Sequence, residues 1–358
     1  MGNMITVSLC MIVRDERDVL GRCLESVKDI ADEIIIVDTG SKDDTKDIAL
    51  RYTREVYDFP WQDDFSAARN FALEQGKKEY LMWLDADDVI PDENRKKLIR
   101  LKKDLEPDVD MVMMPYAVAF GPDGKTAFSY YRERIIKNHR GFRFCGRVHE
   151  VVPPSGKLYY ADIPVEHRKE KAGDSGRNLR IYEAMETAGD EFDSRALYYY
   201  GRELYFHKKY QKGREILEQF LDRGDGWVEN QIDATRQLAG CLYGIGDETG
   251  ALKALLRALE YDVPRGETCC DIGRHFQDRG RYEQAIYWYR QALEAKKDIT
   301  SGAFVEEACY GFLPAISLCV CYDRLGERKR AEEYNELAGR YRPDSIYYLR
   351  NKEYFAEE

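Results

Sequence analysis

The sequence predicts an α/β domain followed by an all-α helical repeat domain. Through about residue 115 short apolar runs alternate with helical stretches, the pattern that builds a parallel sheet with helices on its faces. After Asn178 the strand signals vanish and a self-similar helical pattern begins. At 358 residues the chain is also long for one core, since single cores stop growing at roughly 250–300 residues. The expected division is residues 1–177 and 178–358.

The elements follow in order. Strands are read at residues 6–13, 33–38, 55–58, 80–85 and 110–116, with helices at about 19–28, 44–52, 65–75 and 91–103. Pro91 suits the first turn of the last helix, where a missing N–H loses no hydrogen bond. From Ala117 to His167 shorter strand-like pieces, including 129–136 and 157–165, lie between Gly, Pro and Asn turns and extend or flank the sheet in a mixed fashion. The polar stretch HRKEKAGDSGR, 167–177, reads as a mobile loop at the domain junction, a lid or a plain linker.

In the C-terminal half, DIGRHFQDRGRYEQAIYWYRQALE places Gly273, Phe276, Tyr282, Ala285, Tyr289 and Ala292 where a tetratricopeptide repeat needs small and aromatic residues. The frame recurs with Gly201, Tyr210 and Leu217, again with Ala239, Leu242, Ala251, Leu255 and Ala258, and again with Cys319, Tyr322, Ala331, Ala338 and Pro343. Small residues let paired helices approach while each aromatic fills the gap to the next hairpin, and about four hairpins result. An ordinary helical bundle without regular superhelical stacking is the alternative.

Composition narrows the function classes. With 44% apolar and 34% charged residues the chain is globular. A net charge of -11 disfavours nucleic acid and anionic membrane surfaces, both polyanions, but admits a nucleotide diphosphate whose charge a metal masks. No run approaches the roughly 18 apolar residues of a membrane span, and the start MGNMITVSLCMIVRDE lacks the basic region and cleavage site of a signal peptide. A cytoplasmic location is expected. Nine irregularly spaced cysteines fit reduced thiols; neither Cys269 with Cys270 nor Cys319 with Cys321 has a second pair at zinc-site spacing.

The chemistry is concentrated at strand ends. MWLDADDVI closes a buried strand with Asp85, Asp87 and Asp88, and buried unpaired carboxylates are costly, so they belong at the carboxyl end of the strand where open α/β sheets bind ligands. Ala86 with Asp88 supplies a turn that aims the carboxylates together, and such a cluster suits Mg²⁺ or Mn²⁺ with phosphate oxygens. Capping of a helix by Asp88 or Asp92 explains part of the same pattern. A second strand end, EIIIVDTGSKDDT, delivers Asp38 to the same crevice as an acceptor for a base or ribose, while Asp43 and Asp44 read as helix caps.

Taken together, LCMIVRDE at 9–16, VDTGSKDDT at 37–45, DFSAARNFAL at 64–73, WLDADD at 83–88 and GRVHE at 146–150 resemble glycosyltransferase family two, the inverting enzymes of the GT-A nucleotide-diphospho-sugar transferase fold. The resemblance covers about the first 170 residues, in the family's order. With its repeat tail the chain is more loosely similar to the bacterial S-glycosyltransferases of bacteriocin peptides.

The resemblance implies a role for each position. Val13, Arg14 and Glu16 line the nucleotide pocket, Asp38 holds uracil or ribose, and Arg69, supported by Asn70, approaches the nucleotide or its diphosphate. Asp85 contacts the ribose and the metal sphere with Ala86 beside it in the donor site. Asp87 ligates the metal, and His167 is a third ligand. Glu150 is the base that takes the acceptor proton, and His149 supports it or touches the acceptor. No QxxRW-type element of processive synthases is present, so transfer of one or a few sugars, most naturally from a UDP-sugar, to a peptide, protein or other soluble acceptor is expected. The repeats would help hold that acceptor, and their exposed ends offer a surface for homo-oligomers. The rival readings are a non-catalytic scaffold with a degenerate nucleotide-binding domain, and a nucleotidyltransferase, whose glycine-rich basic phosphate loop MIVRDERDVLGR does not provide.

Overall fold

The computed structural model describes residues 4–121, 124, 126–170, 174–297 and 305–356. The chain divides into two compact units, Met1–Asp190 and Glu191–Glu358. The first is a mixed α/β sheet protein and the second is all α.

In the first unit the chain runs β1 (Val7–Val13), α1 (Leu20–Val27), β2 (Glu33–Asp38), α2 (Thr45–Ala49), β3 (Val56–Asp58), α3 (Phe65–Gln75), β4 (Tyr80–Trp83), β5 (Asp88–Val89) and α4 (Asp92–Asp104). It continues through β6 (Met111–Phe120), β7 (Thr126–Lys137), β8 (Leu158–Tyr160), β9 (Val165–His167) and α5 (Arg177–Ala188). The nine-stranded sheet has the order β3-β2-β1-β4-β7-β6-β9-β5, with β8 paired to β6. Strands β3, β2, β1 and β4 are parallel, and β7 joins β4 antiparallel. The parallel half is apolar on both faces because helices cover both: Leu9, Met11, Ile36 and Met82 pack into one core, Cys10, Ile35, Val37 and Trp83 into the other. Each such fully buried side chain stabilises by about 1.5–3 kcal/mol.

Four differences from the sequence expectations have local causes. The stretch 157–165 is two short strands, β8 and β9, because both are parallel partners of β6 at separate registers, Met111↔Leu158 and Tyr116↔Val165. Helix α4 has Pro91 at its N-cap without a side-chain cap, and Asp88 lies in β5, so neither Asp88 nor Asp92 caps it. At α2 the side chain of Asp43, not of Asp44, accepts the Thr45 N–H at 3.0 Å. The predicted junction at 177 falls at the start of α5, which lies in the first unit; Tyr182 there is buried and donates its hydroxyl to the Val148 carbonyl at 3.5 Å. Part of the expected junction loop, residues 171–173, lies outside the described residues.

The second unit contains α6 (Ser194–Phe206), α7 (Tyr210–Arg223), α8 (Val228–Gly244), α9 (Glu248–Arg257), α10 (Gly266–Gln277), α11 (Tyr282–Glu294), α12 (Phe312–Arg324), α13 (Arg328–Tyr341) and α14 (Ile346–Ala356). The pairs α6/α7, α8/α9, α10/α11 and α12/α13 are four hairpins whose packing follows the repeat logic. Ala285, Tyr289, Ala292, Ala331 and Ala338 are buried, and Gly273 sits so near Tyr289 that a Cβ there would meet the ring at 2.8 Å. Three of the hairpin turns place a glycine in the left-handed region, Gly246, Gly280 and Gly326, where a side chain would be strained. The nine cysteines are free thiols, eight of them buried. Among the described residues no helix is long and apolar enough to cross a membrane.

Candidate active site

The carboxyl ends of β1, β2 and β4 form one edge of the parallel half. Val13 and Asp38 are paired neighbours on β1 and β2. The Asp38 carboxylate is 2% exposed; Oδ1 accepts the N–H groups of Gly40 and Ser41, both at 2.9 Å, and Oδ2 is buried without a hydrogen-bond partner. A buried acceptor left open in this way is the kind of atom a ligand N–H or O–H satisfies.

The loop after β1 is latched to the loop after β2. Asp15, at φ 55°, donates its N–H to Ser41 Oγ at 3.0 Å and accepts from Lys42 N at 2.7 Å. Glu16 N donates to Thr45 Oγ1 at 2.7 Å. Arg14 is exposed and Glu16 half-buried beside this latch.

The acidic run after β4 is assembled by a tight turn. Asp88 N donates to the Asp85 carbonyl at 3.0 Å, and Asp85 N donates to Asp88 Oδ2 at 2.9 Å, so Ala86 and Asp87 are carried round the bend. Strand pairing then brings in a histidine from the far end of the unit: in the β5/β9 ladder Asp88 lies opposite His167, and Arg168 N donates to the Asp87 carbonyl at 2.9 Å. The result is a cluster in which one ligand atom each from Asp87, Asp88 and His167 lies within 4.8 Å of the others. His167 Nδ1 is 3.2 Å from Asp87 Oδ1, 3.3 Å from Asp88 Oδ1 and 2.8 Å from Tyr116 Oη.

Two guanidiniums sit under this cluster. Arg134 of β7 and Asp88 are both fully buried and ion-paired at 3.0 Å, with the guanidinium 4.0 Å from the Trp83 ring centroid and 4.2 Å from that of Tyr116. Arg69 of α3, 7% exposed, donates Nη2–H to Asp85 Oδ1 at 2.5 Å and Nε–H to Glu150 Oε1 at 2.7 Å. Burial alone would raise the Asp85 pKa, but the charges of Arg69 and Arg134 outweigh it and hold the carboxyl well below its usual range. Burial likewise disfavours protonated His167, yet hydrogen bonds and charge from Asp87 and Asp88 push its pKa up to about 10. Four carboxylates against two buried guanidiniums leave a negative excess, and the proton held on His167 marks where a cation is favoured. Hard carboxylate oxygens with one imidazole suit Mg²⁺ or Mn²⁺.

Glu150 lies in a loop closed by the pairing of Cys145 with Val151. His149 within it has φ 53°, a left-handed conformation that costs a non-glycine residue of order 1 kcal/mol or more. The loop is held by α3: Phe65 N donates to the Arg147 carbonyl at 2.9 Å, Ser66 Oγ to the Gly146 carbonyl, and Asn70 exchanges two hydrogen bonds with the Phe144 backbone at 3.0 and 2.8 Å. Arg132 Nη2 adds a bond to the Glu150 carbonyl at 3.1 Å.

Of the residues singled out from sequence, Asp85, Asp87, His167, Arg69 and Glu150 are thus linked through direct contacts and the Asp85–Asp88 turn. Asp85 faces Arg69 and Tyr116, whereas the three-residue metal-type cluster takes Asp88 in its place. Arg134 and Tyr116 are not among the residues singled out from sequence, where Asp88 stands as a member of the acidic cluster or a helix cap. The available signal was the alternation in YYRERII, which sends Arg132 and Arg134 to one face of β7 beside Trp83.

Residues 8–163 match the family model described as "Glycosyl transferase family 2". The glycosyltransferase SunS of Bacillus subtilis, described as SPbeta prophage-derived, is 28% identical over 75% of this chain and 65% of its own length. A TPR repeat-containing protein of Synechococcus elongatus is 38% identical over 42% of this chain and 36% of its own. The lipopolysaccharide core biosynthesis glycosyltransferase LpsC of Rhizobium meliloti is 28% identical over 43% and 59%. The chain therefore spans between 36% and 65% of the length of these relatives. Among solved structures, MamA aligns with 53% of this chain and 99% of its own at 19% identity and a TM-score of 0.38.

Proposed function

We propose that this chain, whose residues 8–163 match the glycosyl transferase family 2 model and are followed by a tetratricopeptide-like helical region, transfers a sugar from a nucleotide donor, a UDP-sugar, to a peptide or protein acceptor with inversion at the anomeric carbon. The observation that carries this reading is the cluster of Asp87, Asp88 and His167, linked through the Asp85–Asp88 turn and the ion pairs of Arg69 to Glu150.

In this reading Asp38 binds the uridine through its open Oδ2, and the latched loops with Val13, Arg14 and Glu16 wall the pocket. Asp87, Asp88 and His167 hold the divalent cation, which supplies Lewis-acid stabilisation of the departing diphosphate. Glu150 takes the proton of the acceptor nucleophile on Oε2, since Oε1 is occupied by Arg69. As the nucleophile's lone pair forms the new bond to the anomeric carbon, the bond from that carbon to the diphosphate oxygen breaks and its electron pair leaves with UDP. His149 shapes the base loop through its left-handed backbone. The repeat hairpins supply the peptide-binding surface such arrays present.

UDP release from a panel of UDP-sugars, with Mn²⁺ and candidate peptides, tests the reading. It requires turnover by the wild-type protein that EDTA and Asp87→Ala both abolish. Absence of binding or turnover with every donor would refute it.

A further inference from the structure

The motif at 65–70 is spent on the base loop. Ser66 and Asn70 bind the backbone of Gly146 and Phe144, and Arg69 binds Glu150 and Asp85. Arg69 lies at 7% exposure against Trp83 and Phe144, with ring centroids at 4.8 and 5.4 Å, and its remaining Nη1 is buried without a partner. A guanidinium so enclosed is badly placed to clamp a diphosphate arriving from solvent. It is well placed to fix one carboxylate relative to another, because its donors form a rigid planar fork.

We propose that residues 65–70 form a positioning clamp for the Glu150 loop, and that Arg69 is a rigid strut setting Glu150 at a fixed distance from Asp85 on the donor side instead of a ligand of the donor. The proposal rests on Glu150 being the acceptor-side base. Both ends of the strut are charge-assisted hydrogen bonds, shorter and stronger than neutral ones. The loop they restrain contains a strained residue, His149, and is closed by a single bridge between Cys145 and Val151, so it does not hold Glu150 in place unaided. Three side chains of one helix, one turn apart, supply what the loop lacks.

The test combines a readout of the donor site, a readout of the loop and a readout of turnover on Arg69→Lys and Asn70→Ala. UDP affinity with Mn²⁺, by calorimetry, is expected to stay within about 3-fold of wild type if, as proposed, neither residue is a donor ligand. Hydrogen exchange of residues 145–151 is expected to accelerate while that of 36–41 does not, and this holds whether or not a donor sugar has been found. With a UDP-sugar that is turned over, kcat is expected to fall about 100-fold at little changed donor KM, the size of effect that a misplacement of about 1 Å produces. Free guanidinium ion is expected to restore part of the turnover of Arg69→Ala. A loss of UDP affinity that matches the loss of turnover makes Arg69 a donor ligand and overturns the proposal, as does unchanged exchange of 145–151 in both variants. If the exchange changes as expected but no donor is turned over by wild type, the clamp stands and the glycosyltransferase reading fails.

Discussion

Replacing Arg134 by Met isolates the electrostatic foundation of the site. Arg134 and Asp88 have no exposed side-chain surface and meet at 3.0 Å, and methionine keeps much of the volume between Trp83 and Tyr116 while removing the charge. Asp88 keeps the Asp85 N–H at 2.9 Å, the Tyr116 hydroxyl at 3.0 Å and half-buried His167 at 3.3 Å, but loses its fully buried cation. Breaking a buried pair from one side costs about 3–5 kcal/mol, because a charge is left uncompensated. For a unit of this size that corresponds to a fall of about 6–20 °C in melting temperature at about 2–4 °C per kcal/mol. The assay is calorimetric melting in EDTA, with Asp88→Asn and the double variant completing a cycle. Each single variant leaves the other member of the pair buried alone, so the double variant should recover at least about 1 kcal/mol relative to additivity. A single variant melting within about 2 °C of wild type would refute the reasoning, as would strict additivity.

His167 has its folded-state pKa raised from 6.5 to about 10, so its protonation stabilises the metal-free protein fully below about pH 6.5 and progressively less as pH rises toward 10. The melting temperature in EDTA should therefore fall more steeply over that interval in wild type than in His167→Gln, and Mn²⁺ should flatten the wild-type curve; equal slopes without metal would count against the cluster. Asp38→Ala removes the open buried acceptor and should weaken UDP binding by at least about 10-fold, the loss of one hydrogen bond to a charged group, with Mn²⁺ binding retained. Gly273→Ala forces a methyl against Tyr289 at 2.8 Å and should destabilise the repeat unit by about 1–3 kcal/mol, the usual cost of overpacking, seen as a lower melting transition with UDP binding untouched.

What could be read from the residues alone was what neighbouring residues determine. Strand β2 and helix α3 have the bounds expected, Glu33–Asp38 and Phe65–Gln75, because the β-branched run IIIV lies between two carboxylates and Asp64 caps α3 by accepting from Ala67 N at 2.9 Å. The hairpins of the second unit were legible for the same reason: small and aromatic residues repeat at fixed spacing. The strands β5, β8 and β9 were not, because two or three residues carry no periodicity and owe their pairing to β6 and to one another. Asp88 looked like a turn or cap residue since its decisive partner, Arg134, is 46 positions away on β7 and is identified only by the fold. The motif position of Arg69 suggests a place at the nucleotide; its contacts with Asp85 and Glu150 depend on packing against Trp83 and Phe144, which only the fold shows.

Crystals grown with UDP and Mn²⁺ give the most direct test of the account, through anomalous scattering at the manganese edge. One strong peak is expected within bonding distance of Asp87, Asp88 and His167, with the UDP diphosphate beside it and the uridine against Asp38. Manganese bound elsewhere, or UDP lodged away from the ends of β1, β2 and β4, would contradict it.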